Sequence, residues 1–138
     1  MKRPTVKPPT LVLADDNSAM LSMLVEILQD DYSVAAALPN GTAVLAQVAT
    51  LNPDLIILDV SLGDISGFEV ARCLKDSACT ARIIFLTVHE DIEFVNAAFD
   101  IGVAGYVFKS RISEDLAKTI DIVFKGGRYA SSTLPPEK

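Results

Sequence analysis

Four short apolar runs constrain this chain more than any other feature, because each one stops at a residue capable of chemistry. Leu11-Val12-Leu13-Ala14 stops at Asp15-Asp16, and Leu55-Ile56-Ile57-Leu58 stops at Asp59. Ile83-Ile84-Phe85-Leu86 stops at Thr87, and Tyr106-Val107-Phe108 stops at Lys109. Near-continuous apolar runs of this length are strands buried on both faces, the environment of a parallel sheet covered by helices. In such a sheet, ligands bind outside the carboxyl ends of the strands, at the topological switch point. Four polar ends on one edge describe a site.

Helical patterns separate the strands. After Asn17 or Ser18, either of which can cap a helix, Met20, Leu21, Leu24, Ile27 and Leu28 follow helical spacing. Tyr32 to Leu38 is a weaker, alanine-rich strand that Pro39-Asn40-Gly41 ends. Val44, Leu45 and Val48 mark a second helix, Phe68, Ala71 and Leu74 a third, and Ile92, Val95 and Phe99 a fourth that ends near Gly102. A fifth runs from Ser113 to Gly126-Gly127, with Leu116, Ile120, Val123 and Phe124 on its inner face. Strand and helix thus alternate five times, and right-handed crossovers turn that order into a doubly wound α/β fold on a five-stranded parallel sheet. Residues 1–9, basic and proline-rich, read as a flexible leader, 10–128 as the folded domain, and 129–138 as a linker or tail toward an output domain.

Bulk properties exclude several classes. A net charge of −6 makes this segment a poor partner for a phosphate backbone, so no direct nucleic-acid contact is expected. Cys73, Cys79 and the lone His89 do not form a zinc-ligand pattern, and free thiols suit a reducing compartment. The leader lacks the apolar segment of a signal peptide, and no apolar run approaches a membrane span. A soluble, cytoplasmic protein is expected.

Asp15, Asp16 and Asp59 converge at neighbouring strand ends if the sheet forms. Clustered carboxylates repel, so a cation or raised pKa values must relieve them. Oxygen-only ligation with room for water suits Mg²⁺. The competing reading makes Asp15 and Asp16 helix caps, but it leaves Asp59 unexplained. Lys109 suits phosphate as a point charge, and Thr87 offers a hydroxyl to the same ligand. An acid, a divalent cation, a hydroxyl and a lysine are the parts of a phosphoryl-transfer site.

These residues, with Gly67 and the segment Gly105-Tyr106-Val107-Phe108-Lys109, resemble the receiver domain of a two-component response regulator over roughly Thr10 to Arg128. The resemblance implies a flavodoxin-like (β/α)5 fold with strand order 2-1-3-4-5. It implies that Asp59 accepts a phosphoryl group from a sensor histidine kinase. It further implies that Asp16, Asp59 and the Ser61 backbone carbonyl ligate Mg²⁺ directly, and that Asp15 acts mainly through water. Lys109 and Thr87 would hold phosphoryl oxygens, and Thr87 would draw its loop in so that the Tyr106 ring turns inward as a switch. Ser61, Val88 and His89 would flank the phosphoryl group, with His89 an exposed loop residue and stiff Val88 a shield against water.

Two departures accompany the likeness: Leu62-Gly63 stands where Met-Pro is common, and Ser110 follows Lys109 where proline is common. Ala97 to Ser110 and Phe124 to Tyr129 resemble the subfamily whose receiver precedes a LuxR-type helix-turn-helix. A DNA-binding output outside this chain and a homodimer formed on phosphorylation are the expectations that follow. The rival classes are a Mg²⁺-dependent phosphohydrolase with Asp59 as nucleophile, and a receiver-like interaction module that never uses phosphate. The first lacks a second acid two residues after Asp59, and the second has no lost acid or lysine to explain it.

Overall fold

The strand runs alternate their side chains between two apolar layers, and this alternation sets the architecture. Val12, Ala14, Ile56, Leu58, Ile83, Phe85, Tyr106 and Phe108 face one layer. Leu11, Leu13, Leu55, Ile57, Ile84, Leu86 and Val107 face the other. A strand buried on both faces needs helices on both sides. The computed structural model describes residues 7–132 and supplies them. Strands β1 (Thr10–Ala14), β2 (Ser33–Leu38), β3 (Leu55–Leu58), β4 (Arg82–Thr87), β5 (Gly105–Phe108) and β6 (Tyr129–Ala130) form one sheet of order β2-β1-β3-β4-β5-β6. Every pairing in it is parallel.

Helices α2 (Gly41–Leu51), α3 (Gly67–Asp76) and α4 (Ile92–Asp100) pack on the first layer through Val44, Val48, Val70, Leu74, Val95 and Ala98. Helices α1 (Ser18–Leu28) and α5 (Ala117–Phe124) pack on the second through Leu21, Leu24, Leu28, Ile120 and Val123. Of the two candidate caps for α1, Asn17 takes the role, accepting the Met20 amide at 2.9 Å. Asn40 and Ser66 cap α2 and α3 in the same way. Strand β2 lies at one edge of the sheet, which explains its diluted apolar pattern. The Lys109–Ser110 peptide, like the other described peptide bonds, is trans.

Two differences from the sequence reading concern the C-terminal third. The fifth helix is not regular from Ser113: a 3₁₀ turn over Lys109–Arg111 and a π turn over Ile112–Leu116 precede α5. Asp115 lies fully buried in that π turn, and its carbonyl also accepts the Thr119 hydroxyl at 2.7 Å. A side-chain hydroxyl competing for a helix carbonyl distorts the turn that contains it.

The second difference is the sixth strand. Tyr129 to Ser131 is not a linker, because the Tyr129 and Ser131 amides donate to the Ala104 and Tyr106 carbonyls at 3.1 and 2.8 Å. The folded unit therefore extends past Arg128. The rest of the expected tail, 133–138, and most of the leader, 1–6, lie outside the described residues. Pro9, the last leader residue, accepts the Ser33 amide at 3.0 Å. Among the described residues no helix is long and apolar enough to cross a membrane.

Candidate phosphoryl-transfer site

The topology brings the ends of β1, β3, β4 and β5 to one edge, because these neighbours are all parallel. Asp15 and Asp59 are almost fully buried there, at 1% and 5% exposure, whereas Asp16 is exposed. The three carboxylates each offer an oxygen within 4.8 Å of the others. Lys109 lies between two of them, its Nζ 2.7 Å from Asp15 Oδ2 and 2.8 Å from Asp59 Oδ2. Burial works against the ammonium's charge, but hydrogen bonds to Asp15 and Asp59 outweigh it and raise the Lys109 pKa above its ordinary value. Two buried carboxylates are therefore compensated by one cation, and the exposed third leaves a net negative opening toward water.

The donor set fits Mg²⁺. It consists of hard oxygens at one point, partly open to solvent, and Mg²⁺ is held by a few carboxylates while keeping several waters. Asp15 Oδ1 accepts the Asn17 amide at 2.9 Å, which orients the carboxylate without making it the helix cap. Asp59 Oδ1 accepts the Ser61 amide at 3.3 Å, so the backbone after β3 curls around the acid.

That loop is pinned from two sides. The Asp64 carboxylate accepts the Gly41 and Thr42 amides at 3.0 Å each, the Thr42 hydroxyl at 2.6 Å and the Ile65 amide at 2.7 Å. These bonds, the Thr42 hydroxyl first, hold its pKa far below the usual carboxylate range. At the loop's far end, a Cβ on Gly67 would run into the Asp59 carbonyl oxygen and stand 2.9 Å from Val60 Cα. Only glycine lets α3 start this close to the acid-bearing strand. Gly63 has φ +87°, which proline, fixed near −65°, cannot adopt. The Leu62-Gly63 departure thus gives the loop its own path.

The remaining sequence-derived residues form a second group. Thr87 is fully buried at the end of β4, and its hydroxyl accepts the His89 amide at 3.4 Å, within its own loop. His89 is not a free, exposed loop residue. Its ring stacks on Phe94 with centroids 4.6 Å apart, and Nε2 lies 3.3 Å from Ser61 Oγ. The Tyr106 ring, expected to turn inward only on activation, is already buried, with its hydroxyl donating to the His89 carbonyl at 2.8 Å. Burial, then the charges of Asp91 and Asp59, raise the phenol's pKa above its ordinary value. Val88 is 66% exposed, whereas Ser61 and His89 meet each other between the loops that follow β3 and β4.

An acid cluster, a partly buried lysine and a hydroxyl at the switch edge of a parallel sheet are the groups that the class of phosphoryl-handling α/β proteins uses. The comparisons narrow the class: the family model described as "Response regulator receiver domain" matches residues 11–121, and the chain belongs to that family. It is 28% identical over 132 residues to the nitrate/nitrite response regulator protein NarL of Escherichia coli K12, a match covering 94% of this chain and 61% of that protein. It is 32% identical to the transcriptional regulatory protein DesR of Bacillus subtilis, covering 91% of this chain and 63% of that protein. A LuxR-family two-component response regulator from Aurantimonas superposes with a TM-score of 0.85 at 26% identity, covering 92% and 91% of the two chains. The chain spans about three fifths of the length of these curated relatives.

Proposed function

We propose that this chain is a phosphorylation-dependent switch in which Asp59 accepts a phosphoryl group from the phosphohistidine of a sensor histidine kinase. The observation that carries the reading is the Lys109 ammonium held between the buried carboxylates of Asp15 and Asp59, with Asp16 beside them. Mg²⁺, when bound, would neutralise charge on the transferring group, with Asp16, Asp59 and the Ser61 carbonyl as direct ligands and Asp15 acting through water. An Asp59 carboxylate oxygen forms the O–P bond as the donor's P–N bond breaks, and the imidazole departs with a proton from solvent. Lys109, already at the site, follows the charge from the carboxylate to the phosphoryl oxygens. Thr87 turns its hydroxyl from the His89 amide toward the same oxygens.

Because His89 is hydrogen-bonded to Thr87 through its amide and to Tyr106 through its carbonyl, moving Thr87 disturbs the hold of the His89 carbonyl on the Tyr106 hydroxyl. A local electrostatic change thereby biases a packed element that has two arrangements. The output is a DNA-binding module following this segment, in the cytoplasm, and phosphorylation promotes a homodimer. Light scattering should show the mass rising toward twice that of the monomer with beryllofluoride and Mg²⁺, and a constant monomer would refute the dimer. The test of the reading itself is transfer from an autophosphorylated sensor kinase carrying labelled phosphate. Label should pass to the parent chain in a Mg²⁺-dependent manner and not to Asp59→Asn; equal labelling of the variant would refute it.

A further inference from the structure

We propose that Ser131 is a positioning residue for Lys109, reaching back from beyond α5 to hold the end of β5 in the geometry the site requires. The inference rests on the reading of Lys109 as the phosphoryl-binding cation. Ser131 lies outside the segment matched by the family model, which ends at 121. It is nonetheless buried, and two of its atoms make three hydrogen bonds, two of them to β5 and one to the π turn before α5. Its amide donates to the Tyr106 carbonyl at 2.8 Å. Its hydroxyl accepts the Phe108 amide at 3.2 Å and donates to Asp115 Oδ2 at 2.7 Å. Phe108 is the residue immediately before Lys109, so this hydroxyl holds the Val107–Phe108 peptide, one residue short of the position from which the lysine side chain departs.

The hydroxyl's own direction is set by charge. Asp115 is fully buried, and its Oδ2 also accepts Arg111 Nε at 2.8 Å. Burial would raise the Asp115 pKa, but Arg111 and Ser131 outweigh it and hold it low, so the group is an anion that can only accept. Ser131 must therefore point its proton at Asp115 and its lone pairs at Phe108. Strand β6 ends after two residues, and β5 would otherwise present the Phe108 N–H to an unpaired edge. The hydroxyl completes the ladder where the backbone does not. A strand end held on both sides gives Lys109 a fixed origin, and a pre-organised cation binds an anion more tightly than one that must be ordered on binding.

The arrangement predicts that the hydroxyl at position 131, and not the side-chain volume there, controls affinity for a phosphoryl mimic. Ser131→Thr and Ser131→Val differ in shape by almost nothing but that hydroxyl, so their packing costs cancel. Ser131→Ala adds a smaller side chain in case the β-branched pair does not fold. Beryllofluoride affinity in the presence of Mg²⁺, Mg²⁺ affinity alone, and amide exchange at Phe108 are measured on the folded proteins. Loss of one hydrogen bond's worth of positioning weakens beryllofluoride about three- to tenfold in the Val and Ala variants, with faster Phe108 exchange. Thr restores both, and Mg²⁺ affinity stays within about twofold throughout, because Lys109 does not ligate it. A role confined to stability would leave the mimic's affinity in the folded variants unchanged. Equal beryllofluoride affinity in Thr and Val, or in parent and Ala, would overturn the proposal. A parent that does not bind the mimic at all would instead overturn the reading of the site.

Discussion

Among the described residues the Asp16 side chain has no hydrogen-bond or ion-pair partner, since Asn17 caps α1 and Lys109 pairs with Asp15 and Asp59. Its charge adds repulsion to a cluster already holding two carboxylates and is useful only to a cation. Asp16→Ala should therefore leave metal-free stability unchanged within about 0.5 kcal/mol, or raise it, while lowering Mg²⁺ affinity at least about tenfold. Denaturation in the presence of chelator and of excess Mg²⁺ checks both halves, and a clear stability loss in chelator would contradict the account. The same logic separates residues legible in the sequence from those that were not. Asp15, Asp16, Asp59, Thr87 and Lys109 declare themselves because each ends an apolar run, and the parallel sheet then brings the ends together. His89 carries no such signal: its stacking on Phe94 and its contact with Ser61 depend on how its loop meets the first turn of α4 and the loop after β3. Asp64, Asp115 and Ser131 were equally silent, because an ordinary polar residue near a turn does not disclose a partner fifteen or more positions away.

Elements adjoining the site are fixed by a few contacts whose loss has a definite sign. Asp64 ties the β3–α3 loop to the start of α2, and its pKa is lowered in the folded protein. A depressed folded pKa means the contribution is fully present above the unfolded carboxyl value, near 4, and is lost as pH falls through the folded pKa. Asp64→Asn should be less stable than the parent at neutral pH and should lose less further stability between about pH 5 and pH 2. Urea midpoints across that range test it, and parallel curves for the two proteins would contradict it. Gly67 is the other fixed point. Gly67→Ala forces a shift between the α3 start and the Asp59 carbonyl, costing about 1–3 kcal/mol and also weakening Mg²⁺ binding. A stability loss without any change in Mg²⁺ affinity would show that the displaced loop does not reach the ligands. The elements themselves were readable where burial on both faces wrote long apolar runs, as in β1, β3 and β4. Strand β6 was unreadable, since two residues before a serine pair carry no periodicity, and the π turn before α5 arises from an inward Asp115 that a helical pattern does not reveal.

At the scale of the whole molecule, the sheet separates two tasks. One edge gathers acids and a lysine, while the loop from Thr87 to Glu90 and strands β5 and β6 connect that edge to the face of α4 and α5. Val88 and Ile92, at the two ends of that connection, are 66% and 63% exposed. The proposed switch depends on Asp59 becoming an acyl phosphate. The direct measurement is intact mass after incubation of the parent and Asp59→Asn with a small phosphodonor, with Mg²⁺ or with chelator. The account predicts a single added phosphate on the parent, only with Mg²⁺, removed at alkaline pH and absent from the variant. No added mass on the parent, or an alkali-stable phosphate that persists in Asp59→Asn, would contradict it.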